Sequence, residues 1–220
     1  DDVRNEFVGL SPTNTVMPGL DPGIHAFPCV AKTWMAGTSP AMTETMVVDV
    51  APPSTLEIAG VCMLADLSGA LFWQEQRLLV VSDLHLEKGS SFAMRGVLLP
   101  PYDTVATLSR LAAVIARHDP RVVIALGDSF HDRRAHERLS GPDRDALSAM
   151  QARRDWIWIS GNHDPALPSD LGGVVAEEVA IGPLAFRHEP TGASGEIAGH
   201  LHPKARVSVR GRSTERRCFA

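Results

Sequence analysis

Cysteine is scarce: Cys29, Cys62 and Cys218 are the only three in 220 residues. An odd number so widely spaced builds neither a disulfide framework nor a paired-cysteine zinc knuckle, and it fits a reducing cytoplasm. Aromatic residues make up 5% of the chain, with a single tyrosine, so no stacking platform for a single strand of nucleic acid stands out. No apolar run approaches the roughly 18 residues that a membrane helix needs. The opening Asp1-Asp2-Val3-Arg4-Asn5-Glu6 lacks the basic and apolar regions of a secretory signal. A surplus of positive charge is also missing: the formal net charge is -5, which excludes a histone-like polycation. What is present is 44% hydrophobic residues, enough length for one domain with a real core, and nine histidines.

Residues 1–45 differ from the rest. Ser11-Pro12-Thr13-Asn14, Met17 to Gly23 and Gly37-Thr38-Ser39-Pro40 are turn and breaker clusters with no sustained period. Val16 to Thr43 also resembles the translated interspersed repeats found upstream of genes in some bacterial genomes. The expectation is a disordered extension, or one lying upstream of a true start at Met42, Met46 or Met63, followed by one domain over residues 46–220.

From Leu56 the pattern becomes regular. Leu56–Ala59 and Ala70–Trp73 read as short strands of an opening hairpin or meander. Arg77–Val81, Arg121–Leu126 and Trp156–Ser160 are compact apolar runs of the kind that form buried strands. Between them, Asp103 is placed to cap a helix reaching about His118, where Pro120 stops it, and a second helix is expected over Pro142–Arg153. Val174-Val175, Leu184–Arg187 and Glu196–Ala198 read as shorter strands. Strands that alternate with helices and then follow one another predict an α/β fold with mixed sheets.

The polar residues fall where these runs stop. The groups are Asp83-Leu84-His85, Gly127-Asp128, Gly161-Asn162-His163-Asp164, His188-Glu189 and Gly199-His200-Leu201-His202. Strand C-termini are where α/β folds gather functional side chains, so the five ends are expected to converge. Alternation along an extended segment would aim Asp83 and His85 at one point, and likewise His200 and His202. Glycine before Asp128, Asn162 and His200 removes bulk where backbone and ligand approach closely. Carboxylate, imidazole and one amide oxygen suit Mn²⁺, Fe²⁺ or Zn²⁺ better than Ca²⁺, which prefers oxygen shells.

The series DxH, GD, GNHD, H and GHxH resembles the calcineurin-like metallophosphoesterase superfamily over Asp83 to His202. Leu84–Gly89, Gly127–His131, His188-Glu189-Pro190 and Ala198–Pro203 further resemble the bacterial DNA-ligase-associated metallophosphoesterases, from about Leu56 to the end of the chain. The resemblance implies a four-layer αββα sandwich of two mixed sheets flanked by helices. It implies two divalent cations, foremost Mn²⁺, with Asp83, His85 and His202 on one, Asn162, His188 and His200 on the other, and Asp128 between them. Two such ions polarise a phosphoryl oxygen and lower the pKa of a water they share. His163 would then be the general acid, with Asp164 orienting its imidazole and raising its pKa. The implied function is a dimetal phosphodiesterase, a DNA damage response endonuclease associated with a DNA ligase, a helicase and an exonuclease. Arg217–Ala220 resembles the start of a closing strand that continues in that family.

Other readings compete with parts of this. A phosphomonoesterase or a small (cyclic) nucleotide phosphodiesterase would use the same metals. A non-catalytic scaffold of the same fold is a further alternative, against which the intact ligand set and His163 argue. His118 reads as a cation at a helix end, and His131, Lys88 and Arg133 read as substrate contacts or as surface residues. Lys204, Arg206, Arg210, Arg212, Arg216 and Arg217 form a basic stretch broken by one acid, Glu215. That stretch fits either a phosphate-tracking rim or an ordinary solvated face.

Overall fold

In the computed structural model, residues 54–100 and 102–220 are described. The expectations for residues 1–45, including Met42 as a start, lie outside them, as does Met46. Met63 is fully buried in the middle of a strand, so a chain beginning there would lose the first strand pair.

Seven strands form one sheet in sequence order: β1 (Ser54–Ile58), β2 (Val61–Ala65), β3 (Leu71–Trp73), β4 (Leu78–Val81), β5 (Val122–Ala125), β6 (Asp155–Ile159) and β7 (Val174–Ala176). The first three and β4 pair antiparallel; β4 to β7 run parallel. The opening is therefore a three-strand meander, not the two strands expected: Val61–Ala65 alternates buried and more exposed residues and fills the gap. A second sheet has the order β10 (Glu196–Ala198), β9 (Leu184–Arg187), β8 (Glu178–Ile181), with β9 and β10 parallel. A hairpin of β11 (Lys204–Val209) and β12 (Arg212–Arg217) stands apart. Arg217, expected to begin a closing strand, is instead the last residue of β12, and Cys218–Ala220 is in no strand.

Alternation decides what each face of the large sheet meets. Leu79, Val81, Val123, Ala125, Trp156 and Trp158 point to the helical side. There they pack with α2 (Asp103–His118) through Leu108, Leu111, Val114 and Ile115, and with α4 (Gly141–Gln151) through Leu147 and Met150. Leu78, Val80, Val122, Ile124 and Ile159 point the other way, against Leu184, Phe186 and Ile197 of the second sheet. This is the mixed α/β sandwich that the sequence predicts; among the described residues, helices cover the outer face of the large sheet.

Three helix ends differ from expectation. The second helix begins at Gly141, because the Ser140 hydroxyl accepts the Asp143 N–H at 3.2 Å, and it stops at Gln151. Asp103 does not cap its own helix, which starts after Tyr102. Its carboxylate accepts the Gly89 N–H at 2.8 Å, satisfying a first-turn donor of α1 (Lys88–Met94). Thr104 adds to this: its hydroxyl accepts the Glu87 N–H at 2.9 Å and donates to the Glu87 carboxylate at 3.0 Å. A seven-residue helix with no apolar stripe is fixed by its neighbour, which is why sequence periodicity gave no sign of it. A four-residue helix, α3 (Ala135–Arg138), completes the set.

Candidate metal centre

The convergence is built by loops that lace together past the strand ends. The segment after β4 runs beside that after β5: Asp83 N–H donates to the Gly127 carbonyl at 3.2 Å, His85 to Asp128 at 2.9 Å and Leu86 to Ser129 at 2.9 Å. The segments after β9 and β10 are joined by Gly199 N–H to the His188 carbonyl at 3.1 Å. Side chains cross-link the rest. Asp128 Oδ1 accepts the His163 N–H at 2.8 Å, and both oxygens of Asp83 accept the His200 N–H at 3.3 Å.

The glycines that precede the ligands let these loops interlock. A Cβ on Gly161 would strike the backbone nitrogen and carboxylate of Asp128. One on Gly127 would lie 2.5 Å from the His188 ring, and one on Gly199 2.9 Å from Asp83. Each glycine is thus pressed against a ligand from a different motif.

The expected extended alternation is absent. Asp83 and His85 have φ of 51° and 46°, Asp128 47°, and His200 and His202 68° and 45°. All five are in the left-handed region, costly for a residue with a side chain, and strain of this kind gathers at functional sites. The side chains still converge, through coiled backbone.

Donor atoms of Asp83, His85 and His202 lie within 4.8 Å of one another, as do those of Asp128, His188 and His200. Asn162 joins the second group, its Oδ1 being 2.9 Å from His188 Nε2 and 3.0 Å from His200 Nδ1. Asp83, Asp128 and His188 are buried, His85, His163 and His202 half-buried, and Asn162 and His200 exposed. Carboxylates therefore line the floor and the rim opens to solvent.

The chemistry of this set fits cations. The Leu126 carbonyl lies 2.8 Å from His188 Nδ1, so Nδ1 carries the proton and Nε2 of the neutral ring presents a lone pair. That lone pair faces the Asn162 amide oxygen, a second acceptor, with Asp128 Oδ1 at 3.5 Å. Acceptors crowded this way need positive charge among them. Without an ion a proton serves: burial pulls the His188 pKa down, but Asp128 and the Leu126 carbonyl outweigh it and the net shift is upward. Burial likewise works against ionised Asp83 and Asp128, yet hydrogen bonds from His202 and Ser82, and from His188 and the His163 backbone, hold both below the usual carboxylate range. His85 is pushed down to about 4, burial dominating, so its ring is neutral and ready to donate to a metal.

His163 stands beside this set. Its Nδ1 lies 2.9 Å from the His131 carbonyl, and its Nε2 3.9 Å from Asp128 Oδ2. Asp164 does not orient that ring directly, contrary to expectation. Its Oδ1 accepts the N–H groups of Asp128 and Gly161 and its Oδ2 that of Phe130, each at 3.0 Å. Burial pushes its pKa up to about 6 against those hydrogen bonds, with the Asp128 charge adding to the rise. Asp164 is a knot tying two ligand loops together; the His131 carbonyl aims the imidazole.

Of the expected substrate contacts, His131 is brought in: its donor atoms group with those of His85 and His163. Burial lowers its pKa, helped by the nearby charges of His163 and Lys88. Lys88 heads α1 beside it, whereas Arg133 is exposed. Ser82, whose hydroxyl donates to Asp83 at 2.8 Å, and the Leu126 carbonyl were not singled out from sequence. The first has only adjacency as a signal; the second is backbone and has none. His118 also differs from its reading: its ring stacks on Phe72 at 4.6 Å and its Nε2 meets Asp66 at 2.8 Å.

No helix among the described residues is long and apolar enough to cross a membrane. No curated protein matches the sequence. Among solved structures, the nuclease MPE of Pseudomonas putida is similar, with a TM-score of 0.57 and 30% identity over 73% of this chain and 78% of that one. Residues 76–207, which span both ligand groups and His163, match the calcineurin-like phosphoesterases, and the chain belongs to that family.

Proposed function

We propose that this protein is a dimetal phosphodiesterase acting on nucleic acid, with DNA as its substrate. The observation that carries the reading is the pair of ligand groups with His163 at their edge, held by its backbone to Asp128. Asp83, His85 and His202 would hold one divalent cation and Asn162, His188 and His200 the other, with Asp128 reaching both; Mn²⁺ suits this donor set, with Fe²⁺ or Zn²⁺ next. Bound there, the ions would supply Lewis acidity toward a phosphoryl oxygen and toward water.

The protein's own residues do the rest. The His131 carbonyl accepts from His163 Nδ1–H, which leaves Nε2 facing the site to deliver a proton to the leaving alkoxide. Asp164 keeps the Asp128 and Gly161 loops in register, so that acid and ligands share one frame. In this reading His131 and Lys88 contact the phosphate. The open rim at Asn162 and His200 accommodates a polymer as well as a small ester. The nuclease named among the similar structures supports a nucleic-acid substrate. The resemblance to ligase-associated enzymes supports work in DNA repair beside a ligase, a helicase and an exonuclease, and the few cysteines support a cytoplasmic setting.

The test is Mn²⁺-dependent cleavage of labelled single- and double-stranded DNA beside bis(p-nitrophenyl) phosphate, with His163→Ala and Asp128→Asn as controls. DNA cleavage lost in both variants is expected. Hydrolysis of the small diester alone would sink the nucleic-acid reading and favour a small-nucleotide enzyme; no hydrolysis of either would favour a scaffold.

A further inference from the structure

The hairpin of β11 and β12 carries charge of nearly one sign. Residues 204–217 contain six basic side chains and one acid, in a chain whose formal total is -5. Its turn, Arg210-Gly211, has φ of 50° and 75°, as in the tight turns that keep two strands twisted together. Lys204 sits opposite Arg217 and Ala205 opposite Arg216. Glu215 pairs with Arg206 at 3.3 Å on an exposed surface, so it offsets little of the charge.

The position of the ribbon matters as much as its charge. Lys204 follows His202 by two residues, and His202 Nε2 is 3.1 Å from the buried Asp83. The other strand returns to the same place, where Cys218 N–H donates to the Pro203 carbonyl at 3.1 Å. Both ends of the ribbon are therefore tied beside a metal-ligand candidate. Six residues per strand reach roughly 20 Å from there, about the span of six phosphates along one strand of a B-form duplex.

We infer that the β11–β12 ribbon is a nucleic-acid arm that grips the phosphodiester backbone outside the metal centre and delivers it to the site. The inference deepens the nuclease reading and rests on it for the identity of the polyanion. The arm supplies affinity for a polymer, and a small diester bound only at the centre does not need it.

The test separates binding from cleavage. Binding of a labelled DNA oligonucleotide is followed by fluorescence anisotropy as salt rises, in Mn²⁺-loaded protein carrying His163→Ala. Arg206→Gln, Arg210→Asn and Arg212→Gln are then added together; asparagine tolerates the left-handed turn position. The dissociation constant is expected to rise roughly tenfold to a hundredfold near 0.1 M salt, and the slope of log affinity against log salt to flatten by about 2. Turnover of bis(p-nitrophenyl) phosphate, measured with His163 intact, should not change, which also reports correct folding. Glu215→Gln should shift affinity the other way, several-fold tighter. Unchanged affinity and slope in the triple variant, or a parent protein that does not bind DNA, would overturn the arm. The nuclease reading stands or falls separately, on cleavage by the unmodified enzyme.

Discussion

Two aspartate–histidine clusters in this molecule use the same residue types to opposite ends. Asp66 accepts from the Ser68 N–H at 2.8 Å, from Arg117 at 2.6 Å and from His118 at 2.8 Å, and the His118 ring lies flat on Phe72. Every acceptor there has a donor. At the metal centre, the Nε2 atom of His188 faces Asn162 Oδ1 at 2.9 Å and Asp128 Oδ1 at 3.5 Å, acceptors against an acceptor. The balance of donors and acceptors, rather than residue identity, tells a structural clamp from a site built for cations.

The sharpest way to break the comparison is Asp128→Asn. If Asp128 serves both ions, the variant should retain fewer than two metals by ICP-MS and lose on the order of 10²–10³ in turnover or more. Two retained metals would contradict a shared ligand.

His163→Ala comes next. It removes no proposed ligand, so metal content should hold while DNA cleavage falls on the order of 10²–10⁴-fold. Bis(p-nitrophenyl) phosphate should suffer far less, because nitrophenolate leaves without a proton. Equal losses on both substrates would remove the acid role.

The Asp66 clamp predicts loss of stability without loss of metal. Asp66→Asn should cost about 3 kcal/mol, since a buried, charge-assisted network loses its centre, with turnover per bound metal pair unchanged. The pH dependence follows in sign. Although burial alone would raise the Asp66 pKa, bonds from Ser68, His118 and Arg117 hold it well below the usual carboxylate range. Its contribution is thus complete above the unfolded-state pKa near 4 and fades as pH falls toward the folded value. Denaturant titrations of metal-free protein should show the gap between wild type and Asp66→Asn narrowing below about pH 4. A gap that widens there would mean that Asp66 is protonated in the native protein.

Much of this was legible in the sequence, for identifiable reasons. Strands such as Leu78–Val81 and Val122–Ala125 are continuous apolar runs, and the five ligand groups sit where apolar runs stop, so order along the chain implied convergence. The means of convergence was not legible. Left-handed backbone at Asp83, His85 and Asp128 arises because neighbouring loops exchange hydrogen bonds across 40 or more residues, which no local pattern encodes. Asp164 shows the same limit: its place beside His163 suggested a partner for that ring, while its oxygens serve backbone N–H groups of three loop residues.

Asp103 gives the smallest and most local test of that limit. As an N-cap of α2 it would stabilise its own helix; in the structure it reaches Gly89 and anchors the start of α1, the helix that follows His85 and contains Phe92, 5.6 Å from the His131 ring. The two roles differ in what Asp103→Ala disturbs. Loss of a cap typically costs about 1 kcal/mol either way, so stability alone cannot separate them. Hydrogen exchange can: the structure places the loss in residues 87–94, with faster exchange at Gly89 and its neighbours and little change along Thr107–His118. The reverse pattern would return Asp103 to the role its sequence suggests, and leave Thr104 alone to tie α1 beside the metal centre.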